Sequence, residues 1–201
     1  THSIGDSGNR LILDVYGKVL EGSNDHRWRI EHAQVIHPDD FEKFGKYNII
    51  PSIQATHATS DMYWAIDRLG AERIKGGYAY KKLMEQNGML AGGSDFPVES
   101  INPLLGFYAA IARKDLSGYP VEGFQPENAL TREEALRAMT IWAAVSNFEE
   151  NEKGSLEQGK DADFVILNGD LMEAPLHEIQ NIKVIKTFVN GTLVYASDSE
   201  L

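Results

Sequence analysis

Four side chains in this sequence could do chemistry together: His2, His32, His57 and Asp95. His32 and His57 close short apolar runs of strand type, and His2 stands where a further strand would end. Asp95 follows Met89-Leu90-Ala91-Gly92-Gly93-Ser94, and Pro97 then removes a backbone donor and stops the strand, so the carboxylate is delivered to a mouth and not to a ladder. Neutral imidazoles and carboxylates are the donors that hold zinc and similar divalent ions. A site with an open position turns water into a nucleophile near neutral pH. An aspartate beside that water takes its proton and passes it to a leaving group. Taken singly, each residue has a blander explanation: a lone histidine at a strand end is more often a hydrogen-bonded or exposed side chain, and an aspartate after Gly-Ser more often caps a turn. His26, His37 and His177 lie in loops or helix entries and are set apart.

Such residues meet only if the chain brings each back to one edge, and the intervening sequence is patterned to do so. Asp6 is placed to cap a helix over 7–20 in which Leu11, Ile12, Val15, Tyr16 and Val19 share a face, and Gly22-Ser23-Asn24-Asp25 ends it. Residues 28–34 read as a strand, and His37-Pro38-Asp39-Asp40 opens a helix over 41–47. Residues 48–56 form the next strand, with Pro51 a mild objection to a central position, and it ends at His57. A helix holding Met62, Trp64, Ala65 and Leu69, another over 80–86, and the strand 89–95 complete a run of βα units. In parallel α/β folds the C-terminal strand edge is where chemistry sits, because loops there vary over a rigid scaffold. Asn102-Pro103 leads into a helix to about residue 112, and an irregular loop spans 114–129. The capping box Thr131-Arg132-Glu133-Glu134 then opens one helix to about residue 145, with Ala135, Met139, Trp142 and Ala143 inward. From Gly154 the pattern turns to β, with strands over 162–167, 182–189 and 192–196. The last two are joined by Asn190-Gly191, the strongest short hairpin signal. Two units follow, 1–150 and 151–201.

Composition narrows the partners. With 42% hydrophobic residues in 201, the chain can bury a core. A net charge of -11 argues against nucleic acid and anionic membrane surfaces, both of which need a basic face. No apolar run is long enough to span a bilayer. Cysteine is absent, which excludes disulfides and thiolate ligands, leaves any metal to His, Asp or Glu, and fits a reducing, cytoplasmic setting. The chain opens on Thr1-His2 with no upstream strand, so it reads as part of something longer whose open sheet edges would self-associate.

Four ordered motifs carry a resemblance. They are Thr1-His2-Ser3-Ile4-Gly5-Asp6, Arg29-Ile30-Glu31-His32-Ala33-Gln34, Ser52-Ile53-Gln54-Ala55-Thr56-His57, and Gly93-Ser94-Asp95-Phe96-Pro97-Val98 with Asn102-Pro103-Leu104. Together they resemble consecutive motifs of the amidohydrolase superfamily, and within it the amidohydrolase-3 group that includes N-substituted formamide deformylases. Gly154-Ser155-Leu156-Glu157-Gln158-Gly159-Lys160-Asp161-Ala162-Asp163-Phe164-Val165 resembles the return of such enzymes to a small β domain. The resemblance covers nearly the whole chain. It implies an α/β fold, the second half of a TIM-like (β/α)8 barrel (strands five to eight) followed by a small β-sandwich portion. It implies His2 and His32 as metal ligands at strands five and six, Asp95 as the strand-eight aspartate that contacts metal and shuttles a proton, and His57 at strand seven facing the substrate. The metal is a divalent ion, zinc, and the reaction is hydrolysis of a C–N bond other than a peptide bond in a small amide or N-substituted formamide. The family's His-x-His pair of strand one and its strand-four Lys or Glu are expected upstream of Thr1. Ser3, Ser7 and Gly8 depart from the family's usual Ala, Arg and Ala without touching a ligand position. Two other readings stay open: a non-catalytic binding or interaction module, and a degenerate homologue.

Overall fold

The structure is a computed structural model describing residues 1–22 and 24–197; Ser23, expected in the turn after the first helix, lies outside them. Strands β1 (His2–Ser3), β2 (Arg29–His32), β3 (Ile50–Ile53) and β4 (Ala91–Gly92) form one parallel sheet in the order β1-β2-β3-β4. Its register sets His2 against Glu31, Glu31 against Ser52 and Ser52 against Ala91. Parallel neighbours require a crossover. Helices α1 (Asp6–Gly17), α2 (Phe41–Lys46), α3 (Ala55–Arg73) and α4 (Tyr80–Asn87) supply them. The strands are shorter than the apolar runs that announce them, because the chain leaves the ladder at left-handed residues: φ is 74° at His32, 41° at Ala33 and 60° at Asp95. His57, expected at a strand end, stands in the first turn of α3.

Two apolar clusters fill the helix side of the sheet. In one, Leu13, Ile30, Phe41, Phe44, Ile49 and Leu83 join α1, α2 and α4 to β2. In the other, α3 packs on α5 (Pro103–Ala112), and α5 on α6 (Arg132–Met139). The face of α1 differs from expectation. Ile12 and Tyr16 pack against the core, but Leu11 and Val19 are each 62% exposed and Leu13 is fully buried. The cause is Asn9, itself fully buried, whose Nδ2 reaches the carbonyls of Ser3, Ile4, Gly5 and Val35 at 3.0–3.3 Å. Meeting those carbonyls turns the Asn9–Leu13 face inward, against the pull of the apolar stripe. Asp6 is the first residue of α1 and not its cap; Gly5 holds the cap position, and Asp6 Oδ1 accepts from Ser7 N at 2.8 Å.

After β4, Asn102 caps α5 by accepting from Leu104 N. Thr131 and Glu134 form the expected capping box at α6. The single helix expected over 131–145 breaks at Thr140 (φ -128°, ψ -98°), and α7 (Ile141–Ser146) follows. The break lets α6 and α7 both lie against β4. Arg113, fully buried and left-handed, anchors the loop between α5 and α6: Nε donates to Phe124 O at 2.8 Å and the guanidinium lies over the Tyr80 and Phe124 rings. Burial with no carboxylate touching it pushes its pKa down to about 10. In the same loop, burial raises Asp115, but hydrogen bonds from the Tyr63 and Ser117 hydroxyls and from the Ser117 and Tyr119 amides overrule it and hold the carboxyl at about 2.

The C-terminal strands β5 (Phe164–Leu167), β6 (Val184–Val189) and β7 (Thr192–Ala196) form one antiparallel sheet, β5-β6-β7. Leu171, Ile179 and Ile182, in the connection between β5 and β6, join the α3–α5–α6 core, and Arg132 donates to the Leu171 and Ala174 carbonyls. Asn190 and Gly191 both have positive φ (48° and 73°), as a type I′ turn requires. The register slips between Thr187 and Phe188, so the hairpin carries a bulge.

Two predictions follow from this architecture. Replacing Gly191 with Val forces a β-branched residue to φ 73° and is expected to lower stability by roughly 1–3 kcal/mol in urea unfolding; an unchanged midpoint would refute the turn. Because the folded pKa of Asp115 is depressed, its stabilisation is present above the unfolded value of about 3.9 and is lost as pH falls toward about 2. Asp115→Asn should flatten the acid limb of the stability profile over that window, and an acid limb identical to wild type counts against it.

Candidate metal centre

At the C-terminal edge of the sheet, ligand atoms of His32, His57 and Asp95 all lie within 4.8 Å of one another. Each arrives differently. His32 ends β2 in a left-handed conformation that swings its ring toward β3, where Nδ1 meets Gln54 Oε1 at 2.8 Å with both residues buried. With the amide oxygen accepting, Nδ1 carries the proton and Nε2 is left as a lone-pair donor. Gln54 is itself fixed, since Tyr80 donates to its carbonyl at 3.0 Å. His57 is carried by the first turn of α3 and is 8% exposed. Asp95 sits three residues beyond β4, left-handed at φ 60°, with its side chain one-third exposed. Two non-glycine residues held at positive φ in one cluster are the kind of local strain found at functional sites.

His57 decides whether the group suits a metal. Its Nε2 is buried with no hydrogen-bond partner, and Asp95 Oδ2 lies 3.6 Å away, too far for a hydrogen bond. Burial pushes its pKa down, outweighing the pull of the Glu99, Asp61 and Asp95 carboxylates. A buried imidazole biased toward its neutral form, with an orphan nitrogen aimed at a carboxylate, is what a divalent cation would satisfy. The donor set of two imidazoles and one carboxylate therefore fits such an ion.

His2 is placed differently from the other sequence candidates. Its ring stands edge-on to His32, centroids 4.4 Å apart, but it is outside the three-residue group, while His57, expected to face substrate, is inside it. His177 is remote from this edge, in a helical turn before β6, with its side chain 81% exposed. Sequence reasoning passed over Gln54 and also Asp61, whose carboxylate accepts from Gln34 Nε2 at 3.0 Å and Tyr78 OH at 2.8 Å. Burial raises the Asp61 pKa despite these bonds, and burial raises Tyr78 as well. The spacing His57–Asp61, four residues on one helix, was the available signal. Tyr78→Phe leaves Asp61 and Gln34 each short of a partner and is expected to cost roughly 1–3 kcal/mol in urea unfolding. Unaltered stability of that variant would mean the network carries no weight.

Comparison with known proteins matches residues 1–195 to the Amidohydrolase family. The protein LONG AFTER FAR-RED 3 of Arabidopsis thaliana is 37% identical over 96% of this chain and 33% of its own length. An N-substituted formamide deformylase of Arthrobacter pascens is 26% identical over 96% of this chain and 36% of its own length. Among solved structures, an uncharacterized metal-dependent hydrolase from Pyrococcus horikoshii OT3 superposes with a TM-score of 0.75 at 29% identity, covering 87% of this chain and 34% of that one. The chain thus spans about a third of the length of the curated relatives it matches. Its α/β architecture and the family match over almost its whole length agree, and the chain belongs to the amidohydrolase family.

Proposed function

We propose that this chain supplies part of the metal-holding edge of a hydrolase that cleaves a C–N bond other than a peptide bond in a small amide or N-substituted formamide. The observation that carries this reading is the convergence of His32, His57 and Asp95 around an unpartnered buried ring nitrogen. A bound divalent ion, zinc by its match to nitrogen and oxygen donors, would supply Lewis acidity and make a water nucleophilic near neutral pH. His32 and His57 would hold it, with His2 a further ligand beside His32. Gln54 keeps the His32 lone pair on Nε2. Asp95, partly exposed at the mouth, accepts the attacking water's proton and returns it to the departing nitrogen. The Arthrobacter relative's name supports the formamide class.

The parallel sheet supports a half barrel contributing strands five to eight, and β5–β7 support the edge of a β sandwich, with the division near residue 150. A purely structural module is disfavoured by the same cluster: a buried imidazole with an orphan nitrogen and two strained backbone positions are costs that packing alone does not require.

Metal content after equilibrium dialysis against zinc tests the reading. Wild-type chain and His177→Ala should retain metal, whereas His32→Ala and His57→Ala should lose it. Equal metal in all four would remove the site. In a hydrolysis assay, Asp95→Asn should keep the fold and cut turnover by roughly 10²–10⁴-fold, since an amide cannot take the proton; wild-type turnover would take Asp95 out of the mechanism.

A further inference from the structure

Behind the turn that carries Asp95 lies a cavity of 150 Å³ that the metal chemistry does not use. Its walls are small residues: Gly92 and Gly93 beyond β3, Gly106 and Ala110 of α5, Ala135 and Ala138 of α6. Ile53 and Phe107 add larger apolar surface. Protein interiors leave few voids larger than a water molecule, and an apolar void of about this size stays dry and takes up benzene. Gly106 holds the space open. A Cβ built there meets no heavy atom within 4 Å, so no close contact demands a glycine, while a glycine inside a helix is intrinsically unfavourable. The lining is not wholly apolar. Thr56 lines the cavity, and its Oγ1 is buried without a hydrogen-bond partner, a penalty that an incoming polar atom would relieve.

We propose that this cavity binds a small apolar group, a ring or branched alkyl of about six carbons, carrying one hydrogen-bonding atom that meets Thr56 Oγ1. Thr56 and Ser94 of its wall immediately precede His57 and Asp95, so the group it holds is the apolar substituent of the amide substrate, an identification that rests on the hydrolase reading above. Specificity would then follow the size of that substituent: groups that fill the cavity are favoured and larger ones excluded.

Benzene and benzyl alcohol, titrated into the 201-residue chain and followed by backbone amide shifts, test the pocket. Both should bind wild type saturably, with the shifts centred on residues 92, 106 and 110. Gly106→Leu should fill the space, raise the melting temperature and abolish binding of both probes. Thr56→Val should keep benzene and weaken benzyl alcohol about five-fold, the loss of one ordinary hydrogen bond. Absence of binding to wild type, or undiminished binding to Gly106→Leu, overturns the pocket, and unweakened benzyl alcohol binding to Thr56→Val overturns the role of Thr56. Zinc content of the same samples separates the two ideas. Probe binding without metal uptake would sink the hydrolase reading and leave the pocket standing; metal uptake without probe binding would do the reverse.

Discussion

The 2.8 Å hydrogen bond between His32 and Gln54 is the constraint around which the metal-site edge is arranged. It spans the ends of two neighbouring strands, and it forms only because β2 stops at a histidine held at φ 74°. An extended His32 would project along the strand's own alternation and miss Gln54. Gln54 in turn is the residue from which α3 starts, so the bond that orients one imidazole also fixes the helix that presents the other. The left-handed backbone costs free energy, and the buried bond together with the Tyr80 contact to the Gln54 carbonyl offsets it.

Polar groups, more than apolar pattern, decide the orientation of the elements at this edge. Asn9 sets which face of α1 enters the core, and the carbonyls it serves lie at the end of β1 and just past β2. Arg27 reaches the Val145 carbonyl at 2.7 Å and pairs with both oxygens of Glu150, tying the chain before β2 to the end of α7. Arg113 does the same for the loop after α5. Each is a buried or half-buried group whose bonds are satisfied by one arrangement of the surrounding backbone, which is how a short sheet of two- to four-residue strands holds a defined geometry.

What the sequence made legible was periodicity and local chemistry. The βα order, the capping box at Thr131, the Asn102 cap and the Asn190-Gly191 turn all depend on neighbours within a few residues, and all stand in the structure. The misplaced items depend on tertiary partners. Leu11, Val15 and Val19 have helical spacing, but spacing does not say which face a distant carbonyl will claim. Thr140 breaks a helix whose residues all tolerate one, because β4 needs both halves against it. In the candidate site, residue type found His32, His57 and Asp95, whereas the grouping of His57 with the other two required knowing that α3 begins before it.

The Asn190–Gly191 turn has a chemical lifetime as well as a shape. In an Asn-Gly pair the glycine amide nitrogen attacks the asparagine side-chain carbonyl, expelling ammonia through a cyclic imide that opens to a carboxylate. Here that nitrogen donates to the Ala162 carbonyl at 3.0 Å, and Asn190 N donates to Asp163 Oδ1 at 2.7 Å, so the nucleophile is occupied while the hairpin stays docked beside the entry to β5. Ageing at this one position therefore clocks local undocking of the hairpin, and each event adds one negative charge to a chain already at -11. An acidic drift of the isoelectric point on storage becomes a ledger of how often the last two strands have let go.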